Sequence, residues 1–133
     1  MAVRATLCLI NAQRRAHHLP ALRLTRVLGA TATGHSHDMV RRHYFAHGAW
    51  YNRILHSGYT ASAASWSVGE NVGWGTGWYG TPAGMVDMWM HSPEHRANIL
   101  SRSYRDIGIG IVTGAPVGGR GTTYTTDFGG RRY

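Results

Sequence analysis

Nine histidines stand against six carboxylates in this chain, so the chemistry open to it depends on which imidazoles can meet an acid or one another. Glu70 is the carboxylate that differs in kind. It lies between Gly69 and Asn71 at the head of GENVGWGTGWYG, a glycine- and tryptophan-rich stretch that packs inward, where a carboxylate needs a partner. It reads either as a buried post that ties loops together or as a group facing a cleft beside histidines. His95 is the histidine most favourably placed. Ser92 is a candidate N-cap and Pro93 occupies the first helical position, so His95 falls in the first turn of a short helix. The positive end of that helix disfavours a charged imidazole and keeps His95 available as a ligand or base near neutral pH.

Most other histidines carry a plain reading. His17 and His18 end a helix, where a cation suits the dipole, and are expected to be exposed. His35 and His37 lie two apart and point to different helix faces. His43 and His47 have i, i+4 spacing, but the helix ends near Tyr44. His91 and His95 are separated by Pro93 and fall on different helices. No HExxH and no pair of CxxC motifs occurs, so spacing alone gives only a weak metal signal.

The elements that must position these groups are legible from periodicity and punctuation. Residues 5–17 read as a helix with Leu7, Ile10 and Arg14 along one face, and Pro20-Ala21-Leu22 as an extended connector. Thr25 caps a second helix reaching about His43, and Trp50–His56 forms a brief third. Residues 60–67 read as a loop. Met85, Met88 and Trp89 mark an amphipathic helix over 81–90 that buries Met85 and Trp89. Ile107, Ile109 and Ile111 alternate with Gly108 and Gly110 in a strand over 106–112 with one heavily buried face. A hairpin loop at 114–121 leads to a returning strand over 122–128. Helices followed by an antiparallel hairpin make an α+β sandwich, and residues 1–133 read as a single domain.

Composition narrows the function classes. The chain has 133 residues, 43% hydrophobic and 15% charged, which is enough for a sizeable core. No apolar run reaches membrane-spanning length, and the Met1 end lacks the apolar stretch of a signal peptide. The single cysteine, Cys8, forms no internal disulfide and is expected to be a small buried hydrophobe. Net charge is +8 and every basic residue is arginine. They are scattered and come without a helix-turn-helix, zinc-finger or RNP pattern, so specific nucleic-acid recognition is not expected. Affinity for acidic polymers is a reasonable consequence of the charge.

Several pieces in order carry a resemblance: His35-Ser36 with Asp38-Met39, Tyr44-Phe45-Ala46-His47, Gly69-Glu70-Asn71-Val72, Ser92-Pro93-Glu94-His95-Arg96-Ala97-Asn98-Ile99-Leu100, and Thr126-Asp127-Phe128-Gly129. Together they resemble the bacterial branch of the CAP superfamily, the SCP-like domains, over nearly the whole chain. The resemblance implies a three-layer α-β-α sandwich with a small antiparallel sheet, and a cleft holding two histidines and acidic residues. By position, His47 and His95 are the implied ligands for zinc or another divalent metal, and Glu70 is the implied carboxylate between them. Two positions depart from the pattern. Ser92 stands where animal and plant members carry a second glutamate, and Glu94 stands where bacterial members commonly have glycine. Glu94 either replaces the missing charge or caps the short helix, and the cap is favoured.

The balance leans toward a non-enzymatic, extracellular or cell-envelope module, monomeric, with any signal peptide already removed. Its cleft, with Glu70, Asn71, Ser92 and Glu94 around it, is expected to take a small apolar or lipid-like ligand. An aromatic rim of Trp66, Trp74, Trp78 and Tyr79 motivates that expectation. One alternative is a zinc-assisted hydrolase of peptide or cell-wall substrates with Glu70 as general base. The other is an adhesive module that grips an anionic cell-envelope polymer through its arginines.

Overall fold

The Ile/Gly alternation of the strand Asp106–Thr113 decides how the layers stack. In the computed structural model, which describes residues 1–133, the chain runs α1 (Ala2–Ala16), β1 (Arg23–Leu24), α2 (Arg26–Arg42), α3 (Trp50–His56), β2 (Ser65–Gly75), a 3-10 turn (Gly77–Gly80), α4 (Pro82–Met90), α5 (Pro93–Ile99), β3 (Asp106–Thr113) and β4 (Thr122–Arg132). The sheet order is β1-β3-β4-β2. On one face Ile107 and Ile109 join Tyr124 and Phe128 against Ile10 of α1, Ile99 of α5 and Met85, Val86 and Trp89 of α4. On the other face Gly108 and Gly110 let α2 lie directly on the strand, because a Cβ at either position would overlap the α2 backbone at Leu28 or Thr33. The result is an α-β-α sandwich with a large apolar core on the isoleucine side. The α2 side is thinner, with Leu28, Ile54 and Tyr59 at its centre.

Helix boundaries follow the expected signals. Thr25 caps α2 by accepting from the Leu28 N–H at 3.3 Å, and Thr81 caps α4 by accepting from the Gly84 N–H at 3.1 Å. α2 ends at His43 in the left-handed conformation. Four expectations are corrected. The connector after Pro20 leads into a two-residue strand, Arg23–Leu24, which pairs parallel with β3, so the sheet is mixed at one edge. Residues 65–67, read as loop, are the start of β2, because Ser65, Trp66 and Ser67 pair with Arg132, Arg131 and Gly130. The returning strand likewise extends to Arg132. Cys8 is exposed, since the buried stripe of α1 runs through Thr6, Ile10 and Arg14 and leaves Cys8 on the outer face.

Candidate functional site

β2 is an edge strand, and its consecutive residues Glu70 and Asn71 point to opposite faces of the sheet. Glu70, fully buried at its side chain, faces α3 and the loop after α2. Its Oε1 accepts from His47 Nδ1 at 2.9 Å and its Oε2 from Arg53 Nη2 at 2.7 Å. Asn71 faces α5, donating from Nδ2 to the His95 carbonyl at 3.1 Å. Asn98 of α5 closes the arrangement by donating to the Glu70 carbonyl at 3.1 Å and to Asn71 Oδ1 at 2.9 Å. The Glu-Asn dipeptide thus fixes the His47 loop on one side of the sheet edge and the His95 helix on the other.

Each histidine is oriented by its Nδ1. An ionised carboxylate only accepts, so His47 donates to it from Nδ1. His95 Nδ1 meets Ser92 Oγ at 2.8 Å, and its ring stacks on Trp89 with centroids 6.4 Å apart. No hydrogen bond engages Nε2 of either ring. Ser92 is the N-cap residue of α5 as expected, but its hydroxyl serves His95 and not the backbone. The sequence reading paired no serine with a base, yet Ser92 and His95 meet; their i, i+3 relation at a helix start was the available signal. Glu94 is exposed in the first turn of α5 and forms no ion pair or hydrogen bond, so it stands apart from the Glu70 cluster.

Three further residues belong to the site: Arg53, which the sequence did not single out, and Asp127 and His35, which stood in the quoted motifs without a role in the site. Arg53 is the half-buried cation that meets Glu70. Asp127, on β4, is the direct cross-strand partner of Glu70 and is fully buried. Its Oδ2 accepts from Thr31 Oγ1 at 2.6 Å, while Oδ1 is buried without a hydrogen-bond partner. His35 donates from Nε2 to the Ala46 carbonyl at 2.7 Å and so anchors the loop that carries Phe45 and His47. Arg53 and Asp127 lie far from Glu70 in sequence, so only strand pairing and helix placement reveal them.

The electrostatics follow from this crowding. Burial raises the Asp127 pKa well above its ordinary value, and the hydrogen bond and charge of Glu70 add to that, so Asp127 is the protonated member of the pair. For Glu70, burial works upward, but hydrogen bonds from His47 and Asp127 and the charge of Arg53 together outweigh it and hold the carboxylate ionised. Burial, then the nearby His47, lowers the His95 pKa, with Glu94 opposing. His95 is therefore neutral at neutral pH, as its helix position suggested, with burial as the leading cause.

Between His95 and the sheet edge lies a cavity of about 310 Å³ lined chiefly by Phe45, Val72, Trp74, Met88, Trp89 and His95. Of the expected aromatic rim, Trp74 alone lines it. Trp78 and Tyr79 are exposed and pair with each other in the 3-10 turn, and Trp66 lines a different cavity. Trp78 and Tyr79 therefore belong to no rim around Glu70.

The donor set fits a resident divalent metal poorly. Both Glu70 oxygens are engaged by His47 and Arg53, and no group of three His, Cys, Asp or Glu side chains converges as a cation cage. The Arg53 guanidinium adds a fixed positive charge beside the only ionised carboxylate of the cluster. Glu70 is placed to orient the His47 ring, not to act as a ligand.

Comparison with known proteins places this arrangement. The model of the cysteine-rich secretory protein family, CAP, matches residues 7–128. The uncharacterized protein YkwD of Bacillus subtilis is 31% identical over 128 residues, covering 92% of this chain and 45% of its own length. The chain thus spans less than half of that relative. An extracellular protein containing a SCP domain from Bacillus anthracis is similar in structure, with a TM-score of 0.76 at 25% identity over 98% of this chain and 40% of that one. An outer surface protein of Borrelia burgdorferi shares the fold with a TM-score of 0.81 at 17% identity, covering 98% of this chain and 93% of that chain.

Proposed function

The chain belongs to the cysteine-rich secretory protein (CAP) family, and on that premise we propose that it is a non-enzymatic extracellular binding domain whose edge cleft takes a small apolar or lipid-like ligand. The observation that carries this reading is the cavity beside β2. Its walls are Phe45, Val72, Trp74, Met88 and Trp89, with the neutral His95 and Ser92 as polar groups at one end. Apolar walls with one or two convergent polar groups suit a hydrophobic body with a polar head. Phe45, 48% exposed, presents apolar surface at the mouth, where burial against a ligand is favourable. An extracellular setting agrees with that of the two structural neighbours above, an extracellular protein and an outer surface protein. No helix of the chain is long and apolar enough to cross a membrane.

The test is titration with a fluorescent fatty acid and with a sterol, followed by tryptophan fluorescence. Saturable binding that is lost in Met88→Lys, which places a charge in the cavity wall, supports the reading. Failure of every probe to perturb Trp74 or Trp89 overturns it.

The second reading, a zinc-assisted hydrolase, draws on one observation: His47 and His95 both have Nε2 free of protein partners. Turnover of peptide or cell-wall substrates that needs zinc and disappears in Glu70→Gln, with the fold intact, would establish it. Zinc-saturated protein without turnover rejects it.

A further inference from the structure

At the other end of β2 from the apolar cleft, four of the fourteen arginines line one cavity of about 290 Å³. They are Arg102, Arg105, Arg131 and Arg132, and three serines, Trp66 and Gly130 complete the lining; no carboxylate takes part. The nearest acid, Asp106, is already engaged. It accepts from Arg23 Nε at 2.8 Å and Tyr59 Oη at 2.6 Å, and lies 4.0 Å from Arg131 Nε. Arg102 and Arg132 form no side-chain hydrogen bond or ion pair. Like charges gathered around one cavity repel one another, and folding gains nothing from gathering them unless an anion sits between.

The cavity is built rather than incidental. The loop that carries Arg102 and Arg105 crosses the end of β4 only because position 130 is glycine; a Cβ there would overlap the Ser103 carbonyl. From inside, the buried guanidinium of Arg14 grips the same loop at both ends, donating to Ser101 O at 2.8 Å and Tyr104 O at 3.1 Å. Arg105 braces the loop further through its own Nη1, which donates to Arg102 O at 2.7 Å and Tyr104 O at 2.9 Å. Arg131 is held over the Tyr59 ring at 4.2 Å and donates to the Tyr59 carbonyl. Two guanidiniums are thus fixed, and two stay free to close on a ligand. Trp66, partly exposed and 5.7 Å from Tyr51, offers a ring face beside them.

We propose that this cavity is a binding site for the phosphate group of an anionic ligand. A guanidinium presents a planar fork that matches phosphate oxygens in pairs. A phosphate monoester, with about 1.5–2 negative charges at neutral pH, neutralises more of the set than one carboxylate does. Serine hydroxyls supply neutral donors. The site is independent of the apolar cleft: Ser67 and Val72 are five residues apart on β2, about 16 Å at the rise of an extended strand.

Calorimetric titration with inorganic phosphate and with tripolyphosphate tests this, read together with the Trp66 indole N–H resonance. The variants are Arg102→Gln/Arg132→Gln and, as a control of equal net charge, Arg4→Gln/Arg120→Gln, all at exposed positions. The expected result is saturable binding that weakens by about tenfold or more in the cavity pair and changes less than about twofold in the control pair. Tighter binding of tripolyphosphate supports a ligand carrying several phosphates, and equal affinities support a single phosphoryl group. Equal weakening in both pairs, or no saturation, overturns the proposal and leaves the cleft reading untouched. Phosphate binding that survives in Met88→Lys confirms that the two sites are separate.

Discussion

Glu70 on β2 and Asp127 on β4 are direct cross-strand partners, both buried, and their crowding pushes the Asp127 pKa up while that of Glu70 is held down. Two bare carboxylates at adjacent register positions would repel each other and leave Asp127 Oδ1 without a donor. A proton on Asp127 removes both penalties. It also leaves the full negative charge on Glu70, where His47 and Arg53 use it. The hidden acid therefore sets the charge of the visible one.

The pair gives a signed pH dependence. The folded-state pKa of Asp127 is raised above its ordinary 3.8, so its contribution to stability is complete below that pH and is lost as pH climbs toward the folded value. Asp127→Asn keeps a donor toward Glu70 and an acceptor for Thr31 Oγ1, and removes the titration. Urea unfolding from pH 4 to pH 8 is expected to show the variant gaining on wild type as pH rises. Parallel curves would show that Asp127 is ionised in the native protein.

Arg53 bears on the metal question. Its guanidinium holds Glu70 Oε2 at 2.7 Å and opposes a divalent cation at the cluster. Arg53→Gln is expected to destabilise the fold by about 2 kcal/mol, the worth of a charge-assisted hydrogen bond to a buried carboxylate. It is also expected to tighten zinc binding by about tenfold or more as the repulsion is removed. Calorimetry on wild type, Arg53→Gln and His47→Ala/His95→Ala measures this. Tight one-site zinc binding by wild type, unchanged in Arg53→Gln, would show that Arg53 swings away and that the cluster is a metal site after all.

Elements written in local patterns were legible in the sequence; groups joined across the sheet were not. Trp50–His56 is a helix to the residue, Thr25 and Ser92 stand at the helix starts expected of them, and Met85 and Trp89 are buried as their spacing required. His47 and Glu70 meet as their motifs implied. Arg53 was out of reach because nothing local distinguishes a site cation from thirteen other arginines, and Asp127, though part of a quoted motif, gained its role only through strand pairing with Glu70. Ser65–Ser67 looked like loop because its pairing partners lie at the far end of the chain. Cys8 was misplaced by its apolar neighbours, Leu7 and Leu9, which themselves only partly face the core.

A glycine of the Ile/Gly strand and a glycine of α2 call for opposite outcomes on substitution. Gly108, on β3, faces α2 so closely that a methyl group would overlap the Leu28 carbonyl and the Gly29 nitrogen. Backbone on both sides leaves no flexible atom to yield, so Gly108→Ala must push α2 off the sheet. That displacement would disturb the Thr31 bond to Asp127 and the His35 anchor of the His47 loop, both of which α2 carries. The expected loss is about 3 kcal/mol. Gly34 lies within α2 with open space around it. Alanine there removes the helix penalty of glycine and is expected to stabilise by about 0.5–1 kcal/mol. Denaturant unfolding of the two variants measures both signs, and a mild effect in Gly108→Ala would mean that α2 is not clamped to β3. In that case the positions of Asp127, Glu70 and His47 would have to be maintained from the β2 edge alone, by Asn71 and Asn98.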